Sequence, residues 1–197
     1  MFPFLHGLMS SIGGLVFLLR DEFTTADAAP IQSATADAGS ATVGGVGAGT
    51  YASTSANDGS FWQIDEVTGT PGITLTMDFT APVTGQDATR LIISGYYDGN
   101  AGHNVNVDAY DWVTAGYDNL GTLPDAGAEA VYTFTLDADH TDTDGSILIR
   151  INHTSPGNPT HNLFLDWVYV QDLVRQAEPG PGALTAVDTE NKISVGA

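Results

Sequence analysis

The chain predicts an all-β fold, an antiparallel β-sandwich of about eight strands preceded by an apolar N-terminal segment and an extended arm. Three observations predict it. Short runs rich in Val, Ile, Thr, Tyr, Phe and Trp recur between Tyr51 and Val170, each bounded by Gly, Asn, Asp or Pro. Several alternate at period two, so that one face of each strand is dry and the other wet. No sustained 3.6-residue periodicity follows residue 22, so helix is scarce.

Taken in order, residues 1–22 form the first segment. Met1 to Leu19 carries no formal charge, and its length just reaches the ~20 apolar residues a bilayer span needs. Pro3, His6, Gly7, Ser10, Ser11, Gly13 and Gly14 dilute it, and no Lys or Arg precedes it. A signal or membrane anchor is one reading. The better fit is an apolar tail that buries Phe2, Phe4, Leu5, Leu8, Ile12, Leu15, Val16 and Phe17 against neighbouring subunits of an assembly. Residues 23–49 turn to Ala, Thr, Ser and Gly, with little to bury and much entropy to lose, and read as a linker or arm.

Residues 50–172 carry the expected strands: Tyr51 to Ser55, Phe61 to Val67, Ile73 to Phe79, Arg90 to Tyr97, Asn104 to Tyr110, Ala130 to Leu136, Ser146 to Asn152 and Asn162 to Val170. Ile73, Leu75, Met77 and Phe79 alternate with Thr74, Thr76 and Asp78, while Ile147 to Ile151 is almost continuously apolar, as a central strand is. In the last run, alternation puts Leu163, Leu165, Trp167 and Tyr169 on one face and Phe164, Asp166, Val168 and Val170 on the other. Residues 173–197 form a tail in which Pro179, Gly180, Pro181 and Gly182 stop any regular element.

Charge narrows the function classes. Five Lys+Arg stand against 24 Asp+Glu, a formal net charge of −19. Such a surface repels phosphate backbones and excludes nucleic acid as a partner. The chain has no cysteine, so disulfides, thiolate zinc sites and Cys nucleophiles are absent. No G-x-S-x-G, P-loop or H-E-x-x-H pattern occurs, and no carboxylate pair stands out, so nothing points to an enzyme.

Binding chemistry is more visible. His103, His153 and His161 lie in Gly/Asn/Pro loops between strands, where imidazoles hydrogen-bond sugar hydroxyls, hold a transition metal, or simply tie the loops down. Tyr110, Trp112 and Tyr117 are aromatic candidates for a sugar-stacking surface, whereas Trp62 and Tyr97 read as core. Asp166 is a carboxylate inside an apolar strand, costly to bury unless it meets a cation or several donors. The acidic run Asp137 to Gly145 lacks the closing Glu of an EF-hand and reads as a solvated turn.

The stretch Ile92 to Asn100, His103 to Val107, Asn152-His153 and His161 to Val168 resembles the galactose-binding-like jelly rolls of carbohydrate-binding modules and phage virion proteins, over about residues 50 to 172. The closing Leu165-Asp166-Trp167-Val168 is its most recognisable piece. The resemblance implies calcium, with Asp166 as a ligand and Asp65 or Glu66 as partners. A second resemblance lies in the flanks: Arg20 to Thr25 and Glu178 to Val195 look like two parts of a segment that opens modules in tailed-phage structural proteins. There the parts run nearly together; here the jelly roll lies between them.

These readings combine into a non-enzymatic virion structural, decoration or fibre protein, anchored by its N-terminus in a homo-oligomer with other virion proteins and displaying a jelly roll to cell-surface glycans. The alternative is a secreted or surface-anchored carbohydrate-binding module.

Overall fold

The computed structural model describes residues 11–12, 15–16, 31–82, 87–100 and 102–173. Of the expected anchor residues, Phe2, Phe4, Leu5, Leu8 and Phe17 lie outside the described residues. The backbone of Ile12, Leu15 and Val16 falls in a two-residue antiparallel pairing of β1 (Ser11–Ile12) with β2 (Leu15–Val16). Among the described residues no helix is long and apolar enough to cross a membrane.

Two antiparallel sheets make the sandwich. One orders β10 (Gly116–Leu123), β9 (Val105–Asp111), β12 (Ser146–His153), β7 (Ile73–Thr80) and β4 (Ala38–Val43). The other orders β11 (Ala130–Thr135), β8 (Arg90–Asp98), β13 (Asn162–Leu173), β6 (Trp62–Asp65) and β5 (Gly45–Ala48), with β3 (Ile31–Thr35) added along β13. Alternation does what it predicts in β7, where Ile73, Leu75, Met77 and Phe79 are buried, and in β12, where Ile147, Ile149 and Ile151 are. They meet Leu91, Ile93, Leu163, Leu165, Val168, Val170, Trp62 and Ile64 of the second sheet in one core.

Four elements differ from expectation. Tyr51 to Ser55 is not a strand: Tyr51–Thr54 form a 3-10 turn whose first amides are capped by Thr50, with Ser53 bonding back to the Thr50 amide. The stretch from Ile31 to Ala48 is not arm but strand, because small Ala, Ser, Gly and Thr residues still complete backbone ladders with β13, β7 and β6. β10 was not expected at all. Its Gly116, Asn119 and Gly121 are poor strand formers, and it is held at a sheet edge by its hairpin with β9.

The fourth difference is a reversal within β13. Its register against β8 skips from Leu165↔Gly95 to Trp167↔Ser94, leaving Asp166 as an extra residue. The bulge flips the alternation, so Leu163, Leu165, Val168 and Val170 face the core while Phe164, Trp167 and Tyr169 face outward. Close approach of the two strands at the bulge requires glycine: a Cβ on Gly95 would collide with the Phe164 carbonyl oxygen. Gly95→Ala is therefore expected to cost about 3 kcal/mol of unfolding free energy in a urea titration; an unchanged midpoint would contradict the tight approach.

Candidate functional site

The outer face of the five-stranded sheet carries a grid of polar and aromatic side chains set by strand register. One row pairs Tyr117 with Tyr110; the next runs Asn119, Asp108, Arg150, Thr76, Ser40; the third runs Thr122, Asn106, Asn152, Thr74. Arg150 organises the middle row. Its Nε and Nη2 donate to Asp108 Oδ2 at 2.9 and 2.7 Å, and Asn119 Nδ2 donates to Asp108 Oδ1 at 2.9 Å. The guanidinium also lies over the Tyr117 ring, its Cζ 3.8 Å from the centroid. Arg150 is one of only two cationic side chains among the described residues, the other being Arg90.

The aromatic end of the face is equally fixed. Tyr110 meets Trp112 and Tyr117 edge to face, with centroids 4.9 and 5.2 Å apart. Trp112 and Val113 are exposed at the β9–β10 tip, which is rigid because Asp111 Oδ1 accepts from the amides of Val113 and Thr114 at 2.7 and 2.8 Å. Those same bonds hold the Asp111 carboxyl below the usual carboxylate range. Burial pushes the Tyr117 phenol up, with Arg150 opposing.

The three loop histidines lie elsewhere, at one end of the sandwich, around Glu66. Glu66 is fully shielded and accepts from Tyr97 Oη at 2.7 Å and from the Asn158 amide at 2.6 Å. His153 Nδ1 stands 2.5 Å from its Oε1, and His161 Nδ1 stands 3.3 Å from its Oε2. The His103 ring packs on His153 at 4.9 Å and on His161 at 5.7 Å. His153 is buried with no partner at Nε2. Burial pushes His153 below the ordinary histidine value; Glu66 pulls the other way, and the neighbouring His103 and His161 push with burial. Tyr97 is driven far above the usual phenol range, first by burial and then by its bond to Glu66.

The six expected glycan-contacting residues thus divide into an outer-face group, Tyr110, Trp112 and Tyr117, and an internal group, His103, His153 and His161. Trp62 and Tyr97 lie in the core. The expected calcium residues do not share a centre. Asp65 points outward, bonded by Gln63 Nε2 at 2.7 Å. Glu66 is taken up by the donors just described. Asp166 lies four residues along β13 from Asn162, the residue opposite Asp65, about 13 Å away at the usual rise. It accepts only from the Gly59 amide, at 2.9 Å, and its Oδ2 has no partner. Among the described residues no three His, Asp or Glu side chains are placed to hold one metal ion, so this set does not fit the calcium centre that the resemblance implies.

Sequence reasoning missed Arg150, Asp108 and Asn119 as site residues. Arg150 had a signal: a lone cation in an apolar strand, facing out by alternation in a chain with five Lys+Arg. Asn119 sits in the strand that was not foreseen.

No family model and no curated protein matches the chain. Among solved structures, a variant of a family 29 carbohydrate-binding module complexed with mannohexaose is similar over 72% of this chain and 91% of its own, at 11% identity and a TM-score of 0.43. A second variant, complexed with cellulohexaose, covers 68% and 92% at 12% identity and 0.42. A further family 29 module covers 68% and 88% at 13% identity and 0.41. Likeness at this level carries no functional inference to this chain.

Removing the donor that Tyr97 gives Glu66 tests the end cluster. Tyr97→Phe keeps the ring in the core and is expected to cost about 1–3 kcal/mol by denaturant titration; a neutral effect would contradict the buried bond.

Proposed function

We propose that the chain is a non-enzymatic glycan-binding module whose binding surface is the outer face of the five-stranded sheet. The observation that carries the reading is Arg150, locked on Asp108 and stacked on Tyr117 in the middle of a row of hydrogen-bonding side chains. Folding has already fixed its geometry, so little side-chain entropy is left to lose on binding. Tyr110, Trp112 and Tyr117 offer ring faces and edges to the apolar side of a pyranose, and Asn119, Asn106, Asn152 and Thr74 offer donors and acceptors to hydroxyls. With Arg150 already paired and the chain at −19, the surface suits neutral rather than anionic sugars.

Display on a virion is a separate proposal. It rests on the sequence likeness of the two flanks, supported by the register that sets Ile31 opposite Leu173, so that the described sandwich begins and ends at paired positions. Neighbouring virion subunits and further copies of the chain are the partners it implies, and the particle surface its location; secretion or attachment to a cell surface is the alternative. Copurification of the full chain with intact particles through a density gradient checks it; a chain recovered only free would contradict it.

Glycan binding is tested by affinity electrophoresis and calorimetry against soluble neutral glucans, mannans and galactans. At least one is expected to bind, with Tyr117→Ala and Trp112→Ala each weakening it about tenfold, the equivalent of ~1.4 kcal/mol. No binding across the panel, or binding indifferent to both substitutions, would contradict the reading.

A further inference from the structure

The hub around Glu66 gathers one shielded carboxylate and three imidazoles, more ionisable groups than a structural tie requires. We propose that it is an acid-operated latch, which holds the loop of residues 154–161 against the end of β6 near neutral pH and releases it on acidification. The inference is independent of glycan binding.

The loop's ties run largely through one residue. The Asn158 amide donates to Glu66 Oε2 at 2.6 Å, and the Glu66 amide donates to the His161 carbonyl at 3.0 Å. Within the loop, Asn158 Nδ2 lies 3.3 Å from His161 Nε2, and the Thr160 amide donates to Asn158 Oδ1 at 3.1 Å. The Gly157 amide adds a bond to the Gly69 carbonyl at 2.8 Å. Every element packed on the hub contributes a titratable group: Glu66 after β6, Tyr97 from β8, His103 from the β8–β9 connection, His153 from β12 and His161 from the loop itself. Asp125, after β10, accepts from the Gly99 amide at 3.0 Å and faces Tyr97 from that side. Asp98 is exposed and Asp65 is turned outward. Neither arginine of the described residues belongs to the hub.

With the three imidazoles neutral, Tyr97 Oη and the Asn158 amide donate to the carboxylate, and Nδ1 of His153 and of His161 face it. Asn158 Nδ2 can donate only to an unprotonated His161 Nε2, which leaves the Nδ1 proton of His161 between Tyr97 Oη at 3.2 Å and Glu66 Oε2 at 3.3 Å. One added proton on His153 forms a neutral pair with Glu66, but turns its buried, unpartnered Nε2 into a donor. A proton on His161 ejects Asn158 Nδ2 from its acceptor. Any proton beyond the first leaves net positive charge in a shielded site. Opening the loop hydrates all of these groups, so acid favours the open form.

The sign follows from linkage. Burial holds His153 below the ~6.5 of a free histidine, so the opened form binds the proton first, and closure weakens as pH falls from about 6.5 toward the folded value.

Amide exchange of the full chain, followed by NMR at pH 7.5 and 5.0 and corrected for the chemical rate, tests the latch. The Asn158 amide is the reporter. The Val113 and Thr114 amides are the control, because Asp111, which holds them, titrates below this range. Opening at Asn158 is expected to rise relative to the control, by up to about tenfold for each pH unit over which the opened form alone takes up the proton. His153→Gln, which keeps a donor toward Glu66 but cannot charge, is expected to flatten the rise. Should that variant not fold, the imidazole resonances of the wild type serve instead, and His153 protonation must coincide with Asn158 opening. Equal acid response at Asn158 and in the control, an undiminished response in His153→Gln, or His153 titration at a different pH from the opening would each overturn the latch.

Discussion

The sandwich depends on β13, the strand paired along both edges. β8 accompanies it from Asn162 to Gln171 on one side, while on the other β6 covers Asn162–Leu165 and β3 covers Tyr169–Leu173. Its inward residues, Leu163, Leu165, Val168 and Val170, form the floor on which the opposite sheet packs. The Asp166 bulge sets which of them point inward. A one-residue slip would turn this set to solvent and bring Phe164, Trp167 and Tyr169 into the core. The close approach at Gly95 and the bond from the Gly59 amide to Asp166 both act at the residue where that slip would start.

From that frame the chemistry separates into a face and an end. Register across β10, β9, β12, β7 and β4 aligns Arg150 with Asp108, Asn119 and Thr76 without any loop being involved, so the face is as rigid as the sheet that bears it. The end is built differently. Glu66, Tyr97, His103, His153 and His161 come from five separate segments and meet only because β6, β8 and β12 finish at the same rim. Sheet packing makes the face hard to perturb, and convergence of buried polar groups makes the end the more sensitive to protonation. The acidic surface bears on both, since a chain of net charge −19 keeps few cations and pairs Arg150 inside the molecule.

Much of this was legible in the sequence wherever local pattern decides structure. The alternation of Ile73 to Phe79 and the apolar run around Ile149 named central strands correctly, because a half-buried or fully buried strand leaves a direct trace in composition. Tyr110, Trp112 and Tyr117 were legible as aromatic candidates, but the β9–β10 hairpin that brings them together was not. Three things left no local trace. The bulge at Asp166 arises from pairing with Gly95, 71 positions earlier, and reverses an alternation that looks regular. β10 and β3–β5 are rich in Gly, Ala, Ser, Thr and Asn, and are completed by edge ladders that local composition does not announce. The Glu66 hub joins residues up to 95 positions apart, so Glu66 reads from sequence as a calcium partner of Asp166 and the histidines as separate glycan contacts, metal ligands or loop ties.

The account rests most heavily on the outer face of the five-stranded sheet being the ligand face. Amide and side-chain NMR shifts of the labelled full chain, followed as a bound neutral oligosaccharide is titrated in, address that claim directly. The account predicts that the largest shifts cluster on Tyr110, Trp112, Tyr117, Asn119 and the Arg150 guanidinium. Shifts centred on Tyr96, Phe164 and Trp167 of the opposite sheet, or confined to the end around Glu66, would contradict it.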